Sequence, residues 1–169
     1  MIILVSGATS TVRELDDPLI GSLFVPGAWR RSREFPAAAF ADGRRWGADN
    51  GAYSDFDAAA FVAMLGKLRG RPGGLFVAAP DVVGQAAPTL ERFRTWAPII
   101  AANDLPIALV AQDGLTVPGV PWDSIDAIFI GGTTAWTAFS RWPRFQIPRA
   151  LGWIEAHRQQ PDLELEAFD

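Results

Sequence analysis

Six short apolar runs constrain this 169-residue chain more than any other feature. They are Ile2–Val5, Leu23–Val25, Arg45–Ala48, Leu75–Ala79, Ile107–Ala111 and Ala127–Ile130, each bounded by small or polar residues such as Gly, Pro or Asp. Runs this short and this rich in Ile, Val, Leu and Phe suit strands covered on both faces. Between the third and fourth lies Ser54–Arg69, where Phe61, Met64, Leu65 and Leu68 recur at helical spacing. Ser54 or Asp55 is the expected cap of that helix, and Gly70 with Pro72 stops it. Between the fourth and fifth, Pro88–Ala102 places Leu90, Phe93, Ala97 and Ile100 on one face, and Pro98 is expected to kink or split it. Strands alternating with amphipathic helices predict βα units and a parallel sheet.

The chain is 49% hydrophobic, so it can bury a core of its own as one domain, residues 1–169. It contains no cysteine, which excludes disulfides, a thiol nucleophile and thiolate zinc. Its one histidine, His157, rules out a histidine-rich metal site. There is no complete G-x-G-x-x-G and no glycine-rich run ending in Lys-Ser/Thr, so neither a metal nor another cofactor is expected. A formal charge of -4 argues against a broadly basic, nucleic-acid-coating surface. Arg30, Arg31 and Arg33, with Arg44 and Arg45, form a local cluster that suits either phosphate contacts or a solvated loop. The start lacks a basic leader and no apolar stretch approaches the roughly 18 residues of a membrane span, so the expected location is cytoplasmic, away from membranes.

Beyond Gly132 the texture changes. Trp136, Trp142, Phe145 and Trp153 are interleaved with Arg141, Arg144 and Arg149, and Pro143 and Pro148 interrupt the pattern. A helix over Ile147–Gln160 is expected, ended by Pro161, with an acidic tail at Asp162–Asp169. Residues 137–169 therefore form a divergent segment after a regular part, 1–136.

Ligands of parallel α/β folds meet the carboxyl ends of strands. Here the third run ends in Asp49-Asn50-Gly51-Ala52-Tyr53, the fourth in Ala79-Pro80-Asp81-Val82-Val83-Gly84, the fifth in Gln112-Asp113-Gly114 and the sixth in Gly131-Gly132-Thr133-Thr134. Taken singly, each is an ordinary turn or cap. Together they load one rim with polar groups. Asp49 is a candidate general acid/base or nucleophile, Asp81 can accept N–H groups of a planar base, and the Gln112 amide suits paired donor–acceptor recognition.

In this order the four stretches, covering roughly the first four fifths of the chain, resemble the tRNA-guanine transglycosylase superfamily, and especially its short phage and bacterial branch that inserts 7-deazaguanines into DNA. The resemblance implies a (β/α)8 barrel and exchange of guanine in a polynucleotide for a 7-deazaguanine. It implies Asp49 as acid/base, Asp81 accepting from the base N–H groups, Gln112 on the carbonyl edge, and Gly131 and Gly132 offering backbone groups. Asn50 and Tyr53 would complete the pocket, Tyr53 by stacking on the base or walling it. The family's nucleophilic aspartate has no counterpart after Trp136, Asp126 precedes its strand at the opposite rim, and 169 residues fall short of the roughly 250 of a full barrel. The expectation is thus an incomplete barrel of about six βα units, whose open edges call for the C-terminal segment, a second copy or a second chain. The two leading functions are base exchange on DNA or tRNA, with Arg30, Arg31 and Arg33 on the polynucleotide, and a non-catalytic α/β protein that lacks the nucleophile and binds a purine or nucleotide or serves as an accessory subunit. A third reading, a small-metabolite enzyme with Asp49 and Asp81 as paired carboxylates, is the remaining alternative.

Overall fold

All six apolar runs are strands: β1 (Ile3–Ser6), β2 (Ile20–Phe24), β3 (Trp46–Ala48), β4 (Gly74–Ala78), β5 (Ile107–Ala111) and β6 (Ala127–Ile130). The computed structural model describes residues 2–6, 14, 17–27, 39–40, 43–53 and 55–139, with side chains as far as Trp136. Arg30, Arg31, Arg33, His157 and the expected C-terminal helix and tail lie outside the described residues. The strands form one sheet in the order β1-β2-β3-β4-β5-β6, every neighbouring pair parallel. A doubly wound sheet reverses its strand order at a switch point. This one never does, and because its strands are all parallel every carboxyl end falls on one rim.

Side chains alternate between two faces, as the period of a strand requires. One face carries Phe24, Trp46, Val77, Ile107 and Leu109 into the main hydrophobic core. Against it lies α1 (Ala58–Leu68), whose Phe61, Met64, Leu65 and Leu68 are all fully buried, as their spacing predicts. Each such side chain contributes roughly 1.5–3 kcal/mol by leaving water. The helix α2 (Ala86–Ala101) adds Phe93, Ala97 and Ile100, with Leu90 packed against them.

The other face is concave. A Cβ built on Gly47 of β3 would lie 2.8 Å from Leu4 of β1 and 2.8 Å from Phe76 of β4. Phe76 in turn meets Phe129 of β6 at 5.8 Å between ring centres, reaching across β5. Contacts that skip strands need a curled sheet, and the six strands make a half-barrel with a filled interior.

Three sequence expectations need correction. The cap of α1 is Asp57, whose Oδ1 accepts from Ala60 N at 2.9 Å, not Ser54 or Asp55. Phe56 explains the choice. It precedes the cap and packs on Phe61 at 5.7 Å and Trp96 at 5.2 Å, a hydrophobic staple that sets where the first turn starts. Pro98 does not divide α2. It sits near the end of the helix, and the Ala102 N–H still reaches its carbonyl at 3.0 Å. Finally, the strands are not all followed by α-helices. Between β5 and β6 the chain makes two 3-10 turns, Val117–Gly119 and Trp122–Ser124, because Pro118 and Pro121 lack the N–H groups that a longer helix needs and Gly119 is a poor helix former. After β6 a short helix, α3 (Thr134–Phe139), begins. Among the described residues no helix is long and apolar enough to cross a membrane.

Candidate functional site

The carboxyl ends of β3, β4 and β5 bring Asn50, Asp81 and Gln112 into one buried network. They are 3%, 5% and 2% exposed respectively, although polar residues that far from water are uncommon. Asn50 Nδ2 donates to Asp81 Oδ1 at 2.8 Å, and Gln112 Nε2 donates to Asp81 Oδ2 at 2.5 Å. Asn50 also donates to the Ala79 carbonyl at 2.8 Å and accepts from Ala52 N at 2.7 Å. Its capacity is then nearly exhausted, and it acts as a strut between β3 and β4.

Gln112 is different. Its Oε1 accepts from Gly84 N at 2.7 Å, which forces the amide to present its nitrogen to Asp81. An amide nitrogen carries two hydrogens, so one remains for a further acceptor. An ionised carboxylate has about four acceptor positions, and two of those on Asp81 are filled. The pair therefore offers one oriented donor beside a half-used carboxylate.

The loop bearing Asp81 is held from several sides. Arg92 Nη1 donates to the Asp81 carbonyl at 2.7 Å. The Thr89 hydroxyl accepts from Val82 N at 2.9 Å and donates to the Gln85 carbonyl at 2.7 Å. Gly84 supplies the turn at φ 75°. Ala86 N, at the start of α2, donates to the Asp113 carbonyl at 3.0 Å. Thr89 and Arg92 escape a reading of the sequence, because nothing local marks a helical Thr or Arg as the fastening of a distant carboxylate.

Asp49 follows β3 directly, half-buried, and its Oδ1 accepts from Asn50 N at 2.7 Å. Its negative charge is felt at Asp81. Burial pushes the Asp81 carboxyl above the ordinary carboxylate range, the Asn50 and Gln112 hydrogen bonds hold it back, and Asp49 adds a smaller upward push. Two carboxylates in unlike surroundings can divide acid and base roles between them.

Gly131 and Gly132 complete the rim. Gly131 N donates to the Ala111 carbonyl at 3.0 Å, and a Cβ on Gly131 would lie 2.5 Å from Gln112 Nε2. Only glycine lets that backbone approach the amide. Gly132 has φ 94°, and its N–H meets no acceptor among the described residues. Tyr53, in contrast, is 93% exposed and walls nothing formed by the described residues. Asp126 sits at the opposite rim, where its Oδ2 accepts from Ile107 N at 2.8 Å. Among the described residues no three acidic or histidine side chains gather as a metal site.

No protein-family model, curated protein or solved structure matches the chain.

Proposed function

We propose that this protein is a base-exchange transglycosylase, replacing guanine in a polynucleotide by a 7-deazaguanine at the rim built on Asp49, Asp81 and Gln112. The observation that carries this reading is the orientation of Gln112. With its oxygen held by Gly84 N, its free N–H suits a ligand carbonyl, while Asp81 beside it retains acceptor capacity for adjacent N–H groups. A carbonyl followed along one edge by two adjacent N–H donors is the pattern that guanine and its 7-deaza analogues share. The Gly132 N–H, which meets no acceptor among the described residues, adds a second donor nearby, this one from the backbone. Asp49, less buried than Asp81, would move the proton as one base leaves and another enters. On this reading the half-barrel is part of a (β/α)8 barrel, and DNA or tRNA is gripped through Arg30, Arg31 and Arg33.

A second reading is favoured by one observation. Among the described residues no carboxylate at the end of β6 could attack the sugar, since Asp126 lies at the other rim. Binding of a purine without exchange would follow. The test is base exchange with labelled guanine or 7-deazaguanine on DNA and tRNA, run beside calorimetric binding of the free bases. Exchange supports the first reading, binding alone supports the second, and absence of both overturns the two together.

A further inference from the structure

The residue next to Gln112 does something that no ligand-reading role requires. Asp113 accepts from Thr133 N at 2.7 Å through Oδ1 and from the Thr133 hydroxyl at 2.6 Å through Oδ2. The Thr133 oxygen then accepts from Trp136 N at 3.3 Å, so Thr133 caps α3 while Asp113 holds Thr133. The Asp113 carbonyl, on the other side, receives Ala86 N from the start of α2. One residue at the end of β5 thus ties down the loop after β4 and the loop after β6.

The contacts run in register. Gln112 lies against Gly131, where a Cβ would come within 2.5 Å of Nε2. Asp113 lies against Gly132, where a Cβ would come within 2.7 Å of Oδ1 and 2.5 Å of Trp136 Cε3. Two consecutive residues of one strand end grip two consecutive glycines of the next. If the Asp113–Thr133 pair opened, the Gly131–Gly132 turn would lose the anchor just beyond it, and its distance from Gln112 would no longer be fixed.

We infer that Asp113 is a positioning residue: through Thr133 it holds the Gly131–Gly132 backbone against Gln112, and so sets how tightly the rim binds a ligand. Its effect on affinity rests on the base-binding reading above, whereas its effect on the rim geometry does not. Asp113 faces outward enough for solvent to reach it, so its carboxylate is dispensable for the core and informative to mutate. The hydroxyl of Thr133 holds its carboxyl below the ordinary range, in keeping with an ionised acceptor.

The test uses the full chain and four variants, Asp113→Ala, Asp113→Asn, Thr133→Val and Thr133→Ser, with two readouts. In the ligand-free protein, NMR follows hydrogen exchange of the Thr133 amide and the Gln112 side-chain NH2 resonances. Calorimetry then measures binding of guanine as the free base. Asp113→Ala should raise Thr133 exchange roughly tenfold, the scale of a lost charge-assisted hydrogen bond, and should move the Gln112 resonances. Guanine affinity should fall by a similar factor. Thr133→Val should reproduce part of both effects, Asp113→Asn should fall between, and Thr133→Ser should restore wild-type behaviour. Unchanged Gln112 resonances in both Asp113→Ala and Thr133→Val would overturn the inference, and should Asp113→Ala fail to fold, Thr133→Val alone decides it. If wild type binds no guanine, the base-binding reading fails, while the NMR readout still decides whether Asp113 positions the rim.

Discussion

Gln112 and Asp81, 31 residues apart in the chain, share a 2.5 Å hydrogen bond in which both partners are almost wholly buried. Breaking it from the Asp81 side strands the donors that converge there. In Asp81→Ala the Gln112 N–H loses its acceptor, and the Asn50 side-chain nitrogen keeps only one of its two, the Ala79 carbonyl. An unsatisfied buried donor costs about 1–3 kcal/mol, and chemical denaturation should register a loss of that order together with loss of guanine binding. Retained binding at wild-type affinity would move the base site elsewhere.

Asp49 should behave otherwise. It is half-exposed and, among the described residues, accepts only the neighbouring Asn50 N–H, so Asp49→Ala is expected to cost less than about 1 kcal/mol. Base exchange should disappear while binding of the free base survives. Removing its charge also removes one upward push on Asp81, whose carboxyl should then titrate at lower pH in an NMR titration. An unmoved Asp81 titration would mean that the two carboxylates are not in electrostatic contact.

These expectations depend on features that the amino-acid order discloses unequally. The bounds of β5 and β6 are legible to the residue, because each is a continuous apolar run with polar or glycine residues behind it. The stripe on α1 is equally plain. Its cap is not, since Ser54, Asp55 and Asp57 all qualify, and only the contact of Phe56 with Phe61 and Trp96 selects among them. At the rim, alternation and strand ends predict that Asp81, Gln112 and Asn50 share an edge. They do not predict that Asn50 is consumed as a strut, that Tyr53 turns to solvent, or that Gly84 N decides which end of the Gln112 amide is free. The first and last of those facts arise from pairings between residues about 30 positions apart, for which no local pattern exists.

The two perturbed carboxyls should leave opposite marks on stability against pH. Folded Asp81 holds its proton more tightly than the unfolded chain does, so stability falls as pH rises from the ordinary 3.8 through its raised value. Asp113 is shifted down by Thr133, so its contribution is present above 3.8 and is lost as pH falls through its lower folded value. Denaturation midpoints across the acid range should show both slopes. Asp81→Asn should remove the slope above 3.8, and Asp113→Asn the one below.

The filled interior makes a prediction independent of any ligand. A methyl group at Gly47 would enter space held by Leu4 and Phe76, both 2.8 Å away. Overpacking of this kind typically costs about 1–3 kcal/mol, and Gly47→Ala should be destabilised by that amount. Phe76 also leans on Phe129, so it cannot simply retreat. Trimming it with Phe76→Leu should recover part of the loss, giving a coupling in a double-mutant cycle that two independent sites would lack. Strict additivity would argue that the concave face is looser than these contacts describe.

Gln112→Glu tests the orientation argument most directly. The substituted carboxylate can still accept from Gly84 N, so the loop after β4 keeps its tie. What changes is the end facing Asp81, where a donor becomes an acceptor within hydrogen-bonding distance of another acceptor. Two carboxylates so placed cannot both ionise cheaply, and one of them should retain a proton well above the ordinary range. The variant should therefore be less stable than wild type at neutral pH and close the gap as pH falls toward 4–5, on the order of the usual carboxylate range. Affinity for guanine should drop at neutral pH, because the carbonyl of the base would face a negative oxygen instead of an N–H. At acid pH the one shared proton lies between the two carboxyls and leaves no hydrogen for the ligand, so the loss of affinity should persist while stability recovers. Wild-type affinity in the variant would show instead that the Gln112 nitrogen does not face the ligand.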